Sequence, residues 1–160
     1  GEIANQGSID YDLLSDLNSI DYYAQSYPKS LGREWINEHF WYRVRQSDAS
    51  KEDRMKTLVD HIGQQIGENI EKLADDSSTT RVYVTGGGAF NPTLIDHLRT
   101  HTDAEIIVPE TQVIEYKEAL IFGLLAVLRV QNKTNILKSY TGAEYDSISG
   151  ELAGNFSHLL

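Results

Sequence analysis

The chain has 160 residues, 40% of them hydrophobic, which is enough for one domain with a real core, tight for two, and too apolar for a disordered segment. Its 24 acidic and 14 basic residues give a net charge of -10, which argues against nucleic acid or an anionic membrane as partner, because phosphate surfaces need clustered Lys and Arg. With no cysteine, disulfides, thiolate chemistry and cysteine-type zinc sites are excluded.

In chain order, residues 1–28 carry Glu2, Asp10, Asp12, Asp16 and Asp21 and no basic side chain; a solvated helix face is expected there, since no metal-ligand spacing is present. Ile9, Leu13, Leu14, Leu17 and Ile20 recur at helical intervals over 8–20. "YPKSLG" reads as a turn punctuated by Pro28 and Gly32, and "REWINEHFWYRV" as an aromatic helix with Trp35, Ile36, Phe40 and Trp41 on one face. Trp35, Phe40, Trp41 and Tyr42 are expected to serve core packing rather than stacking on a ligand.

Ser50 and Asp53 form an acidic variant of the capping box and open the clearest helix. Met55, Leu58, Val59, Ile62, Ile66, Ile70, Leu73 and Ala74 form its apolar stripe, and Glu52–Lys56 and Glu68–Lys72 are i,i+4 pairs on the outer face. Gly63 and Gly67, one turn apart, each cost about 1 kcal/mol in a helix, so another element is expected to approach closely there. "DDSSTT" (75–80) ends this helix as a polar loop.

A strand at 81–85, a helix at 91–101, a strand at 105–109 and a helix from about 112 to 131 come next, the alternation of a βαβ unit with a parallel sheet. The last helix is apolar nearly all round and is expected to be central and buried; its apolar stretch Ala119 to Val130 is too short to span a bilayer. The tail from Thr141 shows no clean period. The chain begins at Gly1 and its one Met is Met55, so it is expected to be a trimmed form or a piece of something longer. His97 and His101 stand i,i+4 on one helix, but with no Glu after the first and no third ligand expected nearby, no metal site is expected.

Between the first strand and the next helix stands "TGGGAFNP". Asn91 suits the N-cap and Pro92 the first helical position. Gly86, Gly87 and Gly88 would therefore lie at the carboxyl end of a parallel strand, where open α/β sheets bind ligands. A tight turn with positive φ would account for one glycine; three suit main chain lying against a planar or anionic group. The loop is not a Walker A loop, because no Lys-Ser/Thr follows it at the required spacing, and Asn91 stands where a dinucleotide fingerprint needs its third glycine.

"VYVTGGGAFNPTLIDHL" resembles the adenosine-contacting segment of the actin-like ATPase and sugar kinase superfamily and, more narrowly, the anhydro-N-acetylmuramic acid kinase family. "GEIANQG", "YPKSLGREW" (27–35), "KEALIFGLLAVLR" (117–129) and "LKSYTGA" (137–143) resemble that family in the same order, so the likeness covers about 1–147. It implies an α/β fold: one actin-like ATPase, ribonuclease H-like lobe with a mainly parallel sheet, packed helices and a helix-rich N-terminal half. Residues 1–147 would be the C-terminal nucleotide-binding lobe and 148–160 a tail of unplaced role.

The family phosphorylates 1,6-anhydro-N-acetylmuramic acid with ATP and Mg²⁺ while water opens the anhydro ring, in peptidoglycan recycling in the bacterial cytoplasm. The implied partners are ATP and the anhydro amino sugar, held together with the N-terminal lobe, and copies could associate through surfaces that normally meet that lobe. Gly86, Gly87, Gly88 and Asn91 match the nucleotide loop; Asn91 is equally accounted for by helix capping. Glu118 matches a cleft-lining Glu, and local pairing, for example with Arg81, is its competing role. Lys29, Ser30, Arg33 and Glu34 match the Pro-Lys-Ser segment, as sugar contacts or as a turn with a surface ion pair. No catalytic residue is expected in this chain. The family's general-base Asp, in an Asp-Thr-Gly-Pro-Gly-Asn segment, would fall just upstream of Gly1, and its first phosphate loop has no counterpart, so the chain by itself is expected to have no kinase activity. The competing reading is a non-catalytic interaction module of the same fold that binds a protein partner.

Overall fold

The computed structural model describes residues 1–26, 29–74 and 79–154. Tyr27 and Pro28 of the expected turn, 75–78 of the polar loop and the last six residues of the tail lie outside the described residues. The chain divides into two compact units, Gly1–Pro109 and Glu110–Leu160. It is mostly helical, with one small parallel sheet; no helix among the described residues is long and apolar enough to cross a membrane.

In the first unit, a 3-10 turn at Ala4–Gln6 precedes α1 (Tyr11–Asn18), whose N-cap Asp10 accepts from the amides of Asp12 and Leu13, both at 3.0 Å. Leu13, Leu17 and Ile20 are buried against Val44 and Leu58. The aromatic segment runs from α2 (Arg33–Trp35) through a five-residue π-turn, Ile36–Phe40, into α3 (Trp41–Gln46). The π-turn adds a residue to the helical turn and so rotates α3 relative to α2. Trp35 and Phe40 thus pack on the core, whereas Trp41 and Tyr42, expected in the core, are exposed.

The long helix α4 (Lys51–Leu73) starts where the capping box places it: Ser50 Oγ accepts from the Asp53 amide at 3.0 Å. Its buried face differs from the apolar stripe read in the sequence. Thr57, Leu58, Val59, Asp60, His61, Gly63 and Gly67 are buried, while Met55, Ile62, Ile66 and Leu73 are exposed. The reason lies at the glycines, where α5 (Pro92–Thr100) crosses at near-backbone contact. A Cβ on Gly63 would stand 3.1 Å from the carbonyl carbon of His97, and one on Gly67 would stand 2.7 Å from His101 Cβ. The expected close approach is therefore real, and it turns the polar side of the helix inward. Neither expected i,i+4 ion pair occurs among the described residues: Lys56 reaches His97, and Glu68 accepts from Gln64.

The sheet is β1 (Arg81–Tyr83) against β2 (Glu105–Ile107), parallel, with Val82 opposite Ile106. With α5 between them this is the expected βαβ unit, and Ile95, Leu98 and Ile106 form its small core. The mainly parallel sheet of the expected fold amounts to two strands among the described residues.

The second unit is built on α6 (Thr111–Val130) and α7 (Lys138–Thr141), with one antiparallel bridge between Ile136 and Ser147. The expectation that α6 is buried is wrong: Ile114 alone among its residues is buried, and Leu120 and Phe122 are 75% and 68% exposed. Apolarity all round shows that a helix can be enclosed, not what encloses it.

Candidate functional site

The glycine loop stands at the carboxyl end of β1. Beyond the strand the Val84 amide still donates to Ile107 O at 2.9 Å, which keeps the chain on the sheet up to the turn. Gly86 then takes φ 85° and ψ 178°, a region open essentially only to glycine, and a 3-10 turn spans Gly87–Phe90. The turn is closed by the Ala89 amide on Gly86 O at 3.0 Å and by the Asn91 amide on Gly88 O at 3.1 Å. Ala89 is buried and pins the loop from beneath. Asn91 caps α5, its Oδ1 accepting from the Leu94 amide at 3.3 Å, with Pro92 in the first helical turn.

The three glycines therefore have different reasons. Gly86 answers to its backbone angle. Gly87 and Gly88 lie outside the positive-φ region and are exposed. A Cβ on Gly87 would meet nothing within 4 Å, and one on Gly88 only Leu94 Cδ2 at 3.7 Å. Nothing among the described residues requires those two positions to lack a side chain. Where the loop enters α5, a hollow of ≈ 540 Å³ is lined by Phe90, Asn91 and Thr93 on one side and by Ile3, Ala4 and Met55 on the other. Thr93 is buried, its hydroxyl donating to Asn5 Oδ1 at 3.1 Å, so the N-terminal turn forms one wall of this hollow.

The other residues singled out in the sequence fall elsewhere. Lys29 donates to the carbonyls of Tyr22 and Tyr23 at 3.1 and 3.3 Å and lies 4.7 Å over the Tyr22 ring, so its ammonium ties down a turn. Arg33 opens α2 and is exposed, as are Ser30 and Glu34. Glu118 is exposed on α6 in the second unit, not enclosed among apolar neighbours.

One cluster escaped the sequence. Asp60 on α4 meets His97 of α5 and His101, the residue that ends it, its Oδ1 lying 2.8 Å from His97 Nδ1 and 3.2 Å from His101 Nε2. The third ligand-type group, Asp60, is thus supplied from another helix. The signal was available in part: Asp60 precedes Gly63 and Gly67 by one and two turns, on the face those glycines open. The acidic segment 1–26 forms no comparable group among the described residues. A second buried histidine, His61, is 1% exposed, hydrogen-bonded to Tyr23 Oη at 2.9 Å and Asn18 Oδ1 at 2.8 Å, and burial lowers its pKa to about 4.

Known proteins match this chain in sequence. The family model described as anhydro-N-acetylmuramic acid kinase matches residues 1–154. Curated relatives carrying that name include one from Mannheimia succiniciproducens, 35% identical over 88% of this chain and 40% of its own length. Another, from Rhodococcus erythropolis, is 31% identical over 95% of this chain and 38% of its own, and one from Shewanella sp. MR-4 is 33% identical over 98% and 42%. The chain thus spans about two fifths of the length of these relatives. With the family match running over nearly every residue, the chain belongs to the anhydro-N-acetylmuramic acid kinase family.

Proposed function

We propose that this chain is the C-terminal, actin-like nucleotide-binding lobe of an ATP-dependent kinase acting on 1,6-anhydro-N-acetylmuramic acid in the bacterial cytoplasm. Residues 1–147 form the lobe and 148–160 its tail. The observation that carries the reading is the open space over Gly87 and Gly88, which the fold of the chain does not itself demand. Bare main chain at a strand's carboxyl end admits the adenosine and inner phosphates of ATP closer than any side chain would allow. Asn91 holds the loop's exit by capping α5, so its contribution to nucleotide binding is to fix where the loop points.

The segment Gly86–Asn91 contains no carboxylate, so the Mg²⁺ that accompanies ATP receives no acidic ligand from it. That ion would supply charge stabilisation when bound, held by the ATP phosphates, water and any carboxylate outside this segment. Lys29 and Arg33 are assigned to the sugar side by their match to the family segment, and Glu118, in the second unit, by its own match to the Glu-Ala helix. For Lys29 the carbonyl contacts make the contribution one of shaping the segment rather than of touching substrate.

The test is Gly87→Val in the full-length protein. Beyond its two chain neighbours nothing in this chain lies within 4 Å of the added Cβ, so the thermal midpoint is expected to stay within a degree or two, while KM for ATP rises by about tenfold or more, the effect of roughly 1.4 kcal/mol of lost binding. An unchanged KM for ATP with an unchanged midpoint would remove the loop from the nucleotide site.

A further inference from the structure

Beyond the kinase reading, and independent of the glycine loop, we propose that Asp60, His97 and His101 form a divalent transition-metal site of the zinc class, clipping α4 to α5 and gated by Lys56. The three ligand atoms lie within 4.8 Å of one another, with Asp60 Oδ1 at 2.8 and 3.2 Å from the two imidazole nitrogens. Zinc bonds of about 2.0–2.1 Å put tetrahedral ligand atoms roughly 3.3 Å apart, so a metal at the centre needs movements of a few tenths of an ångström for the Asp60 pairs. Two nitrogens and one carboxylate oxygen form a donor set for zinc rather than for calcium or magnesium, which take oxygen. The Asp60 side chain is 10% exposed and His97 16%, while His101 at 27% leaves a side open from which the ion can enter and a water can complete the shell.

The position is held by backbone, not by chance side-chain reach. Gly63 and Gly67 bring α4 against the end of α5 next to His97 and His101. The histidines share a face one turn apart, and Asp60 faces them from the crossing helix.

In the metal-free state the hydrogen bonds assign the protons. Lys56 Nζ lies 2.9 Å from His97 Nε2, and an ammonium can only donate, so Nε2 accepts and the His97 proton sits on Nδ1, donated to Asp60. His101 Nε2–H is the second donor to the same oxygen. When a metal takes His97 Nδ1 and His101 Nε2, each neutral ring keeps one proton, moved to its other nitrogen. His97 Nε2–H then faces the Lys56 ammonium, donor against donor and cation beside cation. Lys56 must swing away for the ion to bind, so it opposes binding where the second partner of a metal-bound histidine is normally a carboxylate or carbonyl that favours it.

The experiment is a Zn²⁺ titration of chelator-treated protein monitored by thermal midpoint, with Co²⁺ absorption as a report on geometry. Three forms are compared: the unaltered protein, Lys56→Gln and His101→Gln. Expected are a rise in midpoint with Zn²⁺, the visible bands of tetrahedral Co²⁺, affinity about tenfold or more higher in Lys56→Gln, and about tenfold or more lower in His101→Gln. Absence of any midpoint rise and of Co²⁺ bands in both the unaltered protein and Lys56→Gln would overturn the proposal and leave a hydrogen-bonded network. Zinc binding that His101→Gln does not weaken would overturn it equally, by placing the ion elsewhere. Because Lys56→Gln is a gain of binding at a residue outside the ligand set, a folding failure of His101→Gln does not protect the proposal.

Discussion

Replacing Gly67 by alanine tests the packing on which the first unit depends. The new Cβ would sit 2.7 Å from His101 Cβ and 2.8 Å from its carbonyl carbon, and closer still to its carbonyl oxygen. Ordinary contact begins near 3.4 Å, and two of these atoms are backbone, so the end of α5 has to retreat. Overpacking of this kind costs about 1–3 kcal/mol, here at the upper end, and alanine returns about 1 kcal/mol of helix propensity, leaving a net loss of about 2 kcal/mol. Gly63→Ala is the internal control. Its nearest contacts of 3.1–3.2 Å need tenths of an ångström, so strain and propensity nearly cancel. Urea unfolding of the chain, read by circular dichroism, should then show a midpoint lower by about 1 M for Gly67→Ala and leave Gly63→Ala close to the unaltered protein. A Gly67→Ala midpoint at or above that of the unaltered chain would refute the close crossing of α4 and α5.

Stability should also depend on pH through His61. Its pKa falls from 6.5 to about 4 on folding, chiefly because burial disfavours the cation, so between those values the unfolded chain binds more protons and stability rises with pH. Going from pH 7.5 to 5 should cost about 2 kcal/mol in denaturant unfolding, and a slope unchanged in His61→Phe would assign it to other groups. Asp10→Ala removes acceptors for two amides of α1 and should cost about 1 kcal/mol, read as a shift in thermal midpoint; no shift would mean that solvent serves those amides as well.

Where helices begin and where the chain turns was legible from residues within a few positions of one another. Ser50 caps α4, Asn91 and Pro92 open α5, and the strand–glycine–helix order is present as read. Local hydrogen bonds and φ preferences act over one turn, so the sequence alone determines them, and the family motifs, which are strings of such features, could be recognised for the same reason. Which face of a helix is buried was not legible. The apolar stripe of α4 predicted Met55, Ile62 and Ile66 inside, yet the inward face carries Asp60, His61 and two glycines, because the approach of α5 decided it. The apolar circumference of α6 looks the same whether or not anything packs on it, and Ile114 is its one buried residue within the described residues. The union of Asp60 with His97 and His101 joins residues 37 and 41 positions apart, a distance over which only tertiary packing, not periodicity, brings side chains together.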